Sequence, residues 1–123
     1  MTAILLVSLG AAIGAPGRWL VDRAVQRRHT SLVPCGTLTV NLVGSLVLGV
    51  VLGWSSAPDR GHELALLLGT GFCGAFTTFS TFAVDSVRLL DEGRSRYAAG
   101  YVLLSLVAGC LLATAGWWLG IKI

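Results

Sequence analysis

Uncharged stretches long enough to cross a membrane alternate with short charged segments along this chain. Asp, Glu, Lys and Arg are absent from residues 2–17, 29–58, 64–84 and 97–121. Because about 20 apolar residues span a bilayer as a helix, the pattern predicts an all-α integral membrane protein. We expect four transmembrane helices in a single domain, at about residues 3–25, 33–55, 63–88 and 96–120.

The composition supports a membrane protein and excludes several other classes. Of the 123 residues, 54% are hydrophobic and 12% are charged, whereas soluble domains carry about 25% charged residues. The net charge of +3 comes from basic residues that flank the spans, so we reject nucleic-acid binding. The three cysteines lie in different predicted spans, which disfavours a disulfide framework. Ser, His and Asp form no catalytic pattern, so we do not expect an enzyme.

The arginines are distributed unequally between the two ends of the predicted spans. The first and third loops, with the helix ends beside them, share one side of the membrane and carry Arg23, Arg27, Arg28, Arg88, Arg94 and Arg96. The other side carries Arg60 and Lys122. Because Lys and Arg concentrate in cytoplasmic loops, we expect these two loops in the cytoplasm and both termini outside.

The third span combines glycines, hydroxyls and phenylalanines in an order that is unusual for a helix facing lipid. Gly69, Gly71 and Gly74 precede a run of hydroxyls and aromatic rings, which consists of Thr77, Thr78, Phe79, Ser80, Thr81 and Phe82. Every backbone polar group in hydrocarbon must be satisfied within the protein, so this stretch indicates burial or a polar path. Phe79 and Phe82 are either ordinary apolar residues that face lipid or the core, or rings that line the path. In the second case their edges would attract an anion or their faces a cation.

Two further spans repeat small and polar residues at every fourth position, which places them on one helix face. In the second span the repeat consists of Thr37, Asn41, Ser45, Gly49 and Gly53, and in the fourth it consists of Tyr97, Tyr101, Ser105 and Gly109. An amide within a span is costly without partners, so we expect Asn41 to point into a polar path and to offer its donors there. Tyr101 and Ser105 belong either to a packing stripe or to a line of hydroxyl donors.

Arg18 is a charged residue inside the first predicted span. It either snorkels to the interface, pairs with Asp22 one turn away, or attracts anions at a pore entrance. No carboxylate pair lies within a span, which argues against a proton relay.

Three motifs, in this order, resemble the Fluc/CrcB family of fluoride channels. They are GAPGRW at residues 14–19, GTLTVNLVGS at 36–45 and GFCGAFTTFSTF at 71–82. The resemblance covers essentially the whole chain. It implies a passive, fluoride-selective channel that exports cytoplasmic fluoride and relieves its toxicity, in the plasma membrane of a prokaryote.

The resemblance also implies an architecture and a set of site residues. We expect an antiparallel, dual-topology dimer with two pores and a third helix that breaks near Gly74–Thr77. The backbone carbonyls of Gly74 and Thr77 from both subunits would hold a structural sodium ion, and Arg18 matches the vestibule arginine. The fluoride pore would be lined by Asn41, Phe79, Ser80, Thr81, Phe82, Tyr101 and Ser105.

The sequence leaves the partner subunit and two other functions open. An antiparallel homodimer needs a balanced Lys/Arg distribution, so the arginine excess also suits one half of a heterodimer of paired homologues. The alternatives to a channel are a small membrane scaffold or assembly subunit and a small multidrug-type transporter. Such transporters need a carboxylate within the membrane on their first helix. Asp22 is expected at the membrane interface instead, which disfavours the transporter.

Overall fold

The computed structural model describes all 123 residues and is entirely helical. Helix α3 consists of π-helical turns over Ala65–Cys73 and one α-helical turn over Gly74–Phe76. The other helices are α1 (Thr2–Arg28), α2 (Cys35–Trp54), α4 (Phe79–Asp91) and α5 (Ser95–Lys122).

Four helical stretches are long and apolar enough to cross a membrane. Helices α1, α2 and α5 each form one, and α3 and α4 together form the stretch Ala65–Asp91. The prediction of an all-helical chain with four membrane spans is therefore confirmed. Helix α1 continues past the expected end at residue 25 because its last turn carries Arg27 and Arg28, and cations stabilise the C-terminal end of a helix.

Glycines bring the backbones of paired helices into direct contact. Helix α2 packs mainly on α5, and α1 packs mainly on α3. A Cβ atom on Gly116 would collide with the Leu46 carbonyl oxygen, and one on Gly49 would collide with the Ala113 carbonyl oxygen. Small residues that let helix backbones approach are a main source of helix association in membranes. Gly49 thus serves the packing of α2 on α5.

Most large apolar side chains lie outside the core. The buried cluster consists of Leu89, Ala98 and Tyr101, with Leu38 and Phe82 packed against it. Elsewhere, long apolar side chains on α1 and α5 are exposed. In a chain with four spans, such exposed side chains face lipid or a second subunit.

The connection from α4 to α5 is a tightly hydrogen-bonded turn. Gly93 has a φ of +74°, a left-handed conformation that glycine adopts without steric cost. The Arg94 N–H donates to the Leu89 carbonyl oxygen at 2.8 Å, and the Gly93 N–H donates to the Leu90 carbonyl oxygen at 3.0 Å. This Schellman pattern satisfies the last carbonyls of α4 and directs the chain into α5.

The contact between α2 and α5 is tested by comparing two glycines on α5. We expect Gly116→Ala to lower the thermal unfolding midpoint in detergent by roughly 5 °C or more, because overpacking costs about 1–3 kcal/mol. Gly100→Ala is the matched control, since a Cβ atom there meets nothing within 4 Å. Equal midpoints for the two variants would show that the close approach contributes nothing to stability.

Candidate functional site

Two residues with extended backbone lie between α3 and α4. Thr77 has φ −86° and ψ 162°, and Thr78 has φ −148° and ψ 119°. An interruption within a span leaves backbone groups that must find partners inside the protein. The side chains around Thr78 supply those partners.

Asn41 on α2 binds both backbone polar groups of Thr78. Its Nδ2 donates to the Thr78 carbonyl oxygen at 3.0 Å, and the Thr78 N–H donates to Asn41 Oδ1 at 2.8 Å. The side-chain amide therefore pairs with Thr78 as a neighbouring strand would. Asn41 also lines an open groove, and one of its two amide hydrogens is used in this pairing.

The Thr78 side chain caps the start of α4. Its Oγ1 accepts a hydrogen bond from the Thr81 N–H at 3.2 Å and donates to Thr81 Oγ1 at 3.1 Å. The Ser80 hydroxyl oxygen lies 3.3 Å from Thr78 Oγ1. A threonine at this position satisfies one of the free N–H groups of a helix start. The predicted hydroxyls of Ser80 and Thr81 thus meet at the cap.

Three aromatic rings form a row that begins in the groove. The Phe79 and Phe82 centroids are 5.7 Å apart, and the Phe82 and Tyr101 centroids are 5.3 Å apart. The planes in both pairs are tilted, by 44° and 39°. Phe79 is 80% exposed, whereas Tyr101 is 1% exposed. The row therefore runs from the open surface into the buried core.

The groove has a volume of about 850 Å³ and is lined by residues of α2, α3, α4 and α5 and by His62. No Asp, Glu, Lys or Arg lines it. Asn41, Phe79, Phe82 and Ser105 are all on its wall, so four of the predicted pore residues share one surface. The Ser105 hydroxyl donates to the Tyr101 carbonyl oxygen of its own helix at 2.7 Å, so its proton is already used.

Tyr101 and Asp85 are two buried residues with polar side chains near the inner end of the aromatic row. The Tyr101 hydroxyl is buried and has no hydrogen-bond partner. Asp85, which is 7% exposed, accepts a hydrogen bond from Thr37 Oγ1 at 3.0 Å and pairs with Arg88 at 3.2 Å. Asp85 is a buried acidic residue in the third span, where no acidic residue was expected. Its position three residues after Phe82, on the same helix face, was the available signal.

A smaller polar cavity of about 250 Å³ lies near the ends of α1 and α4 and the start of α2. Asp22, Thr37, Thr81, Asp85 and Arg88 are among its lining residues. Two carboxylates from different helices therefore line one cavity, a grouping that the sequence did not predict.

Arg18 has no ion pair, and the expected alternative of pairing with Asp22 is wrong. The Asp22 carboxylate instead accepts hydrogen bonds from Gln26 Nε2 at 3.1 and 3.2 Å. Arg18 is half-buried, and its guanidinium lies outside both cavities.

Comparison with known proteins identifies the family. A family model described as CrcB-like protein, Camphor Resistance (CrcB), matches residues 5–117. The chain belongs to this family. The resemblance inferred from the three sequence motifs is thereby confirmed.

Relatives in several bacteria cover most of the chain. The fluoride-specific ion channel FluC 1 of Streptomyces avermitilis is 48% identical over 114 residues, which are 93% of this chain and 92% of the relative. FluC 1 of Nocardia farcinica is 51% identical over 105 residues, 85% of this chain and 71% of that protein. FluC of Pseudomonas aeruginosa is 45% identical over 113 residues, which are 91% of this chain and 87% of that protein. These names describe channels, in agreement with the expectation that the chain is not an enzyme.

The residues at the interruption fit the sodium ion that the CrcB resemblance implies. Gly74 and Thr77 both line the groove, and Gly74 has no neighbouring atom within 4 Å of the position of a Cβ. Backbone carbonyls at the interruption of a membrane helix are ligands that Na⁺ binds in other membrane proteins. Gly74 and Thr77 are thus both at the groove wall, where carbonyls of the interruption could face a cation.

The hydrogen bond from Thr37 to Asp85 is tested by removing the hydroxyl. We expect Thr37→Val to destabilise the protein by about 1–3 kcal/mol, because a buried acceptor loses its partner. Thermal unfolding in detergent measures the loss. Thr39→Val on the same helix is the control, since the Thr39 hydroxyl bonds only the Cys35 carbonyl oxygen of its own helix, at 2.7 Å. An equal loss in both variants would contradict a special role for the Thr37–Asp85 contact.

Proposed function

We propose that this chain forms a passive, fluoride-selective channel that exports fluoride across the plasma membrane of a prokaryote. The observation that carries the proposal is the shared groove: Asn41, Phe79, Phe82 and Ser105 meet there. Relatives that align with most of the chain are named fluoride-specific ion channels.

The donors along the groove suit a small, strongly hydrated anion. Asn41 keeps one amide hydrogen after binding Thr78, and the tilted rings of Phe79 and Phe82 carry positive edges. The Tyr101 hydroxyl lies at the buried end of the aromatic row and is outside the groove wall. With no Lys or Arg on the groove wall, the ion is held by dipoles. Conduction requires binding that is weak enough for release, and dipoles without fixed charge meet that requirement.

The groove is incomplete in one subunit. Phe79 is 80% exposed, and an apolar ring beside an open groove of about 850 Å³ is a surface that a partner covers. We therefore propose a dimer of antiparallel subunits with two pores, in which the interruption at Thr77 and Thr78 is the break of the third transmembrane helix. Arg18, which has no ion pair, would attract anions to the vestibule.

A sodium ion would sit between the subunits at this interruption. The backbone carbonyls of Gly74 and Thr77 would hold it, and its charge would bind the two interrupted helices together. The ion is structural, and no step of fluoride movement passes through it.

Fluoride efflux from liposomes tests the channel. Wild-type protein should release trapped fluoride and retain chloride. Phe79→Ile and Phe82→Ile should each lower the fluoride rate by about tenfold or more, the factor that corresponds to ~1.4 kcal/mol, because the ring edges are lost while an apolar side chain remains.

Leu66→Ile is the matched control, since Leu66 lines the same groove with an aliphatic side chain. Unchanged flux in both phenylalanine variants would remove the aromatic role. No flux from the wild type alone, followed by flux after co-reconstitution with a paired homologue, would support the heterodimer. No flux in either case would contradict the channel and favour a scaffold.

The orientation of the chain is tested separately. The arginines on the first and third loops favour a single orientation with both termini outside. A cysteine-reactive, membrane-impermeant label at an added terminal cysteine should therefore react in intact cells, in a background where Cys35, Cys73 and Cys110 are serines. Labelling of only half of the chains before lysis would indicate both orientations and a homodimer.

A further inference from the structure

The interruption redirects two backbone N–H groups to side chains. In a continuous α-helix, the Thr78 N–H would bond the Gly74 carbonyl and the Thr81 N–H would bond the Thr77 carbonyl. In this structure the first donates to Asn41 Oδ1 and the second to Thr78 Oγ1. The two carbonyls that lose these helical partners are those of the proposed sodium site.

We propose that Asn41 and Thr78 are positioning residues that keep the Gly74 and Thr77 carbonyls free for a cation. This inference rests on the sodium ion of the proposed function. Each side-chain oxygen competes with one carbonyl for one N–H group. Losing the oxygen lets the N–H return to the carbonyl, which restores a helical bond and withdraws a ligand.

The geometry around Thr78 distinguishes this role from simple capping. Asn41 also donates to the Thr78 carbonyl oxygen at 3.0 Å, so it fixes the extended residue from both sides. Thr77 is held separately, because its N–H and its hydroxyl both donate to the Cys73 carbonyl oxygen, at 2.9 and 2.8 Å. The chain between Cys73 and Thr81 is therefore anchored without either of the two carbonyls.

Matched pairs of variants separate the acceptor from the shape of each side chain. Thr78→Val keeps the branched shape and removes Oγ1, whereas Thr78→Ser keeps the hydroxyl. Asn41→Leu removes both amide atoms, whereas Asn41→Asp keeps an oxygen acceptor for the Thr78 N–H. Thr39→Val serves as a control on α2, since its hydroxyl bonds only its own helix.

The measurement is the binding of sodium to purified protein, read as the rise of the thermal unfolding midpoint with Na⁺ concentration in place of N-methylglucamine. Thr78→Val and Asn41→Leu should need about tenfold more Na⁺ for the same rise, which corresponds to ~1.4 kcal/mol. Thr78→Ser, Asn41→Asp and Thr39→Val should respond at the wild-type concentration or below it.

The outcomes are distinct. Wild-type Na⁺ dependence in Thr78→Val and Asn41→Leu, with unchanged elution from a sizing column, would overturn the positioning role and leave the sodium site standing. A wild-type protein that does not respond to Na⁺ would overturn the sodium site and this inference together. A normal Na⁺ response with no fluoride flux, whether or not a paired homologue is present, would contradict the channel function and leave the sodium site standing.

Discussion

The structure depends on one constraint: backbone polar groups within a membrane must be satisfied by the protein itself. A continuous helix meets this constraint without help, but the span formed by α3 and α4 is interrupted at Thr77 and Thr78. Asn41 and the Thr78 hydroxyl supply the missing partners. Asn41 on α2 and the Thr78 hydroxyl therefore stabilise the backbone just before α4 begins. Phe79 and Phe82 lie in the first turn of α4, so the same contacts fix where the aromatic row begins.

In the channel that we propose, the groove would hold the anion without a fixed positive charge, because no Lys or Arg lines it. Polar groups that are already paired, such as the Ser105 hydroxyl, contribute shape and dipole direction. The second amide hydrogen of Asn41 is not used in its pairing with Thr78 and remains available on the groove wall. A site of this kind binds weakly enough for passage. The relatives' names supply the ion, and the groove supplies a chemistry that is compatible with it.

The four membrane spans could be predicted from the uncharged stretches alone, because the thickness of the bilayer sets the length of a transmembrane helix. The contacts of individual polar residues cannot be predicted from such a pattern. Asn41 was expected to offer its donors to a polar path. It does line the groove, but one of its amide hydrogens is used on the backbone of Thr78, 37 positions away, and this contact was not predicted. Asp85 was missed because its burial depends on how α4 packs against α2 and α5. Its spacing from Phe82 places both residues on one helix face but does not show what that face contacts. Family membership could be inferred because three motifs occur in order.

The interruption occupies an unusual position within its span. Thirteen residues of Ala65–Asp91 precede Thr78 and thirteen follow it, so the extended residues lie at the middle of that stretch. When two subunits cross in opposite directions, a feature at one end meets the other end of its neighbour, and only a feature at half depth meets its own copy. A displaced break would place two unlike surfaces together. In the antiparallel dimer that we propose, the central break would therefore let one set of residues serve as both halves of a symmetric contact.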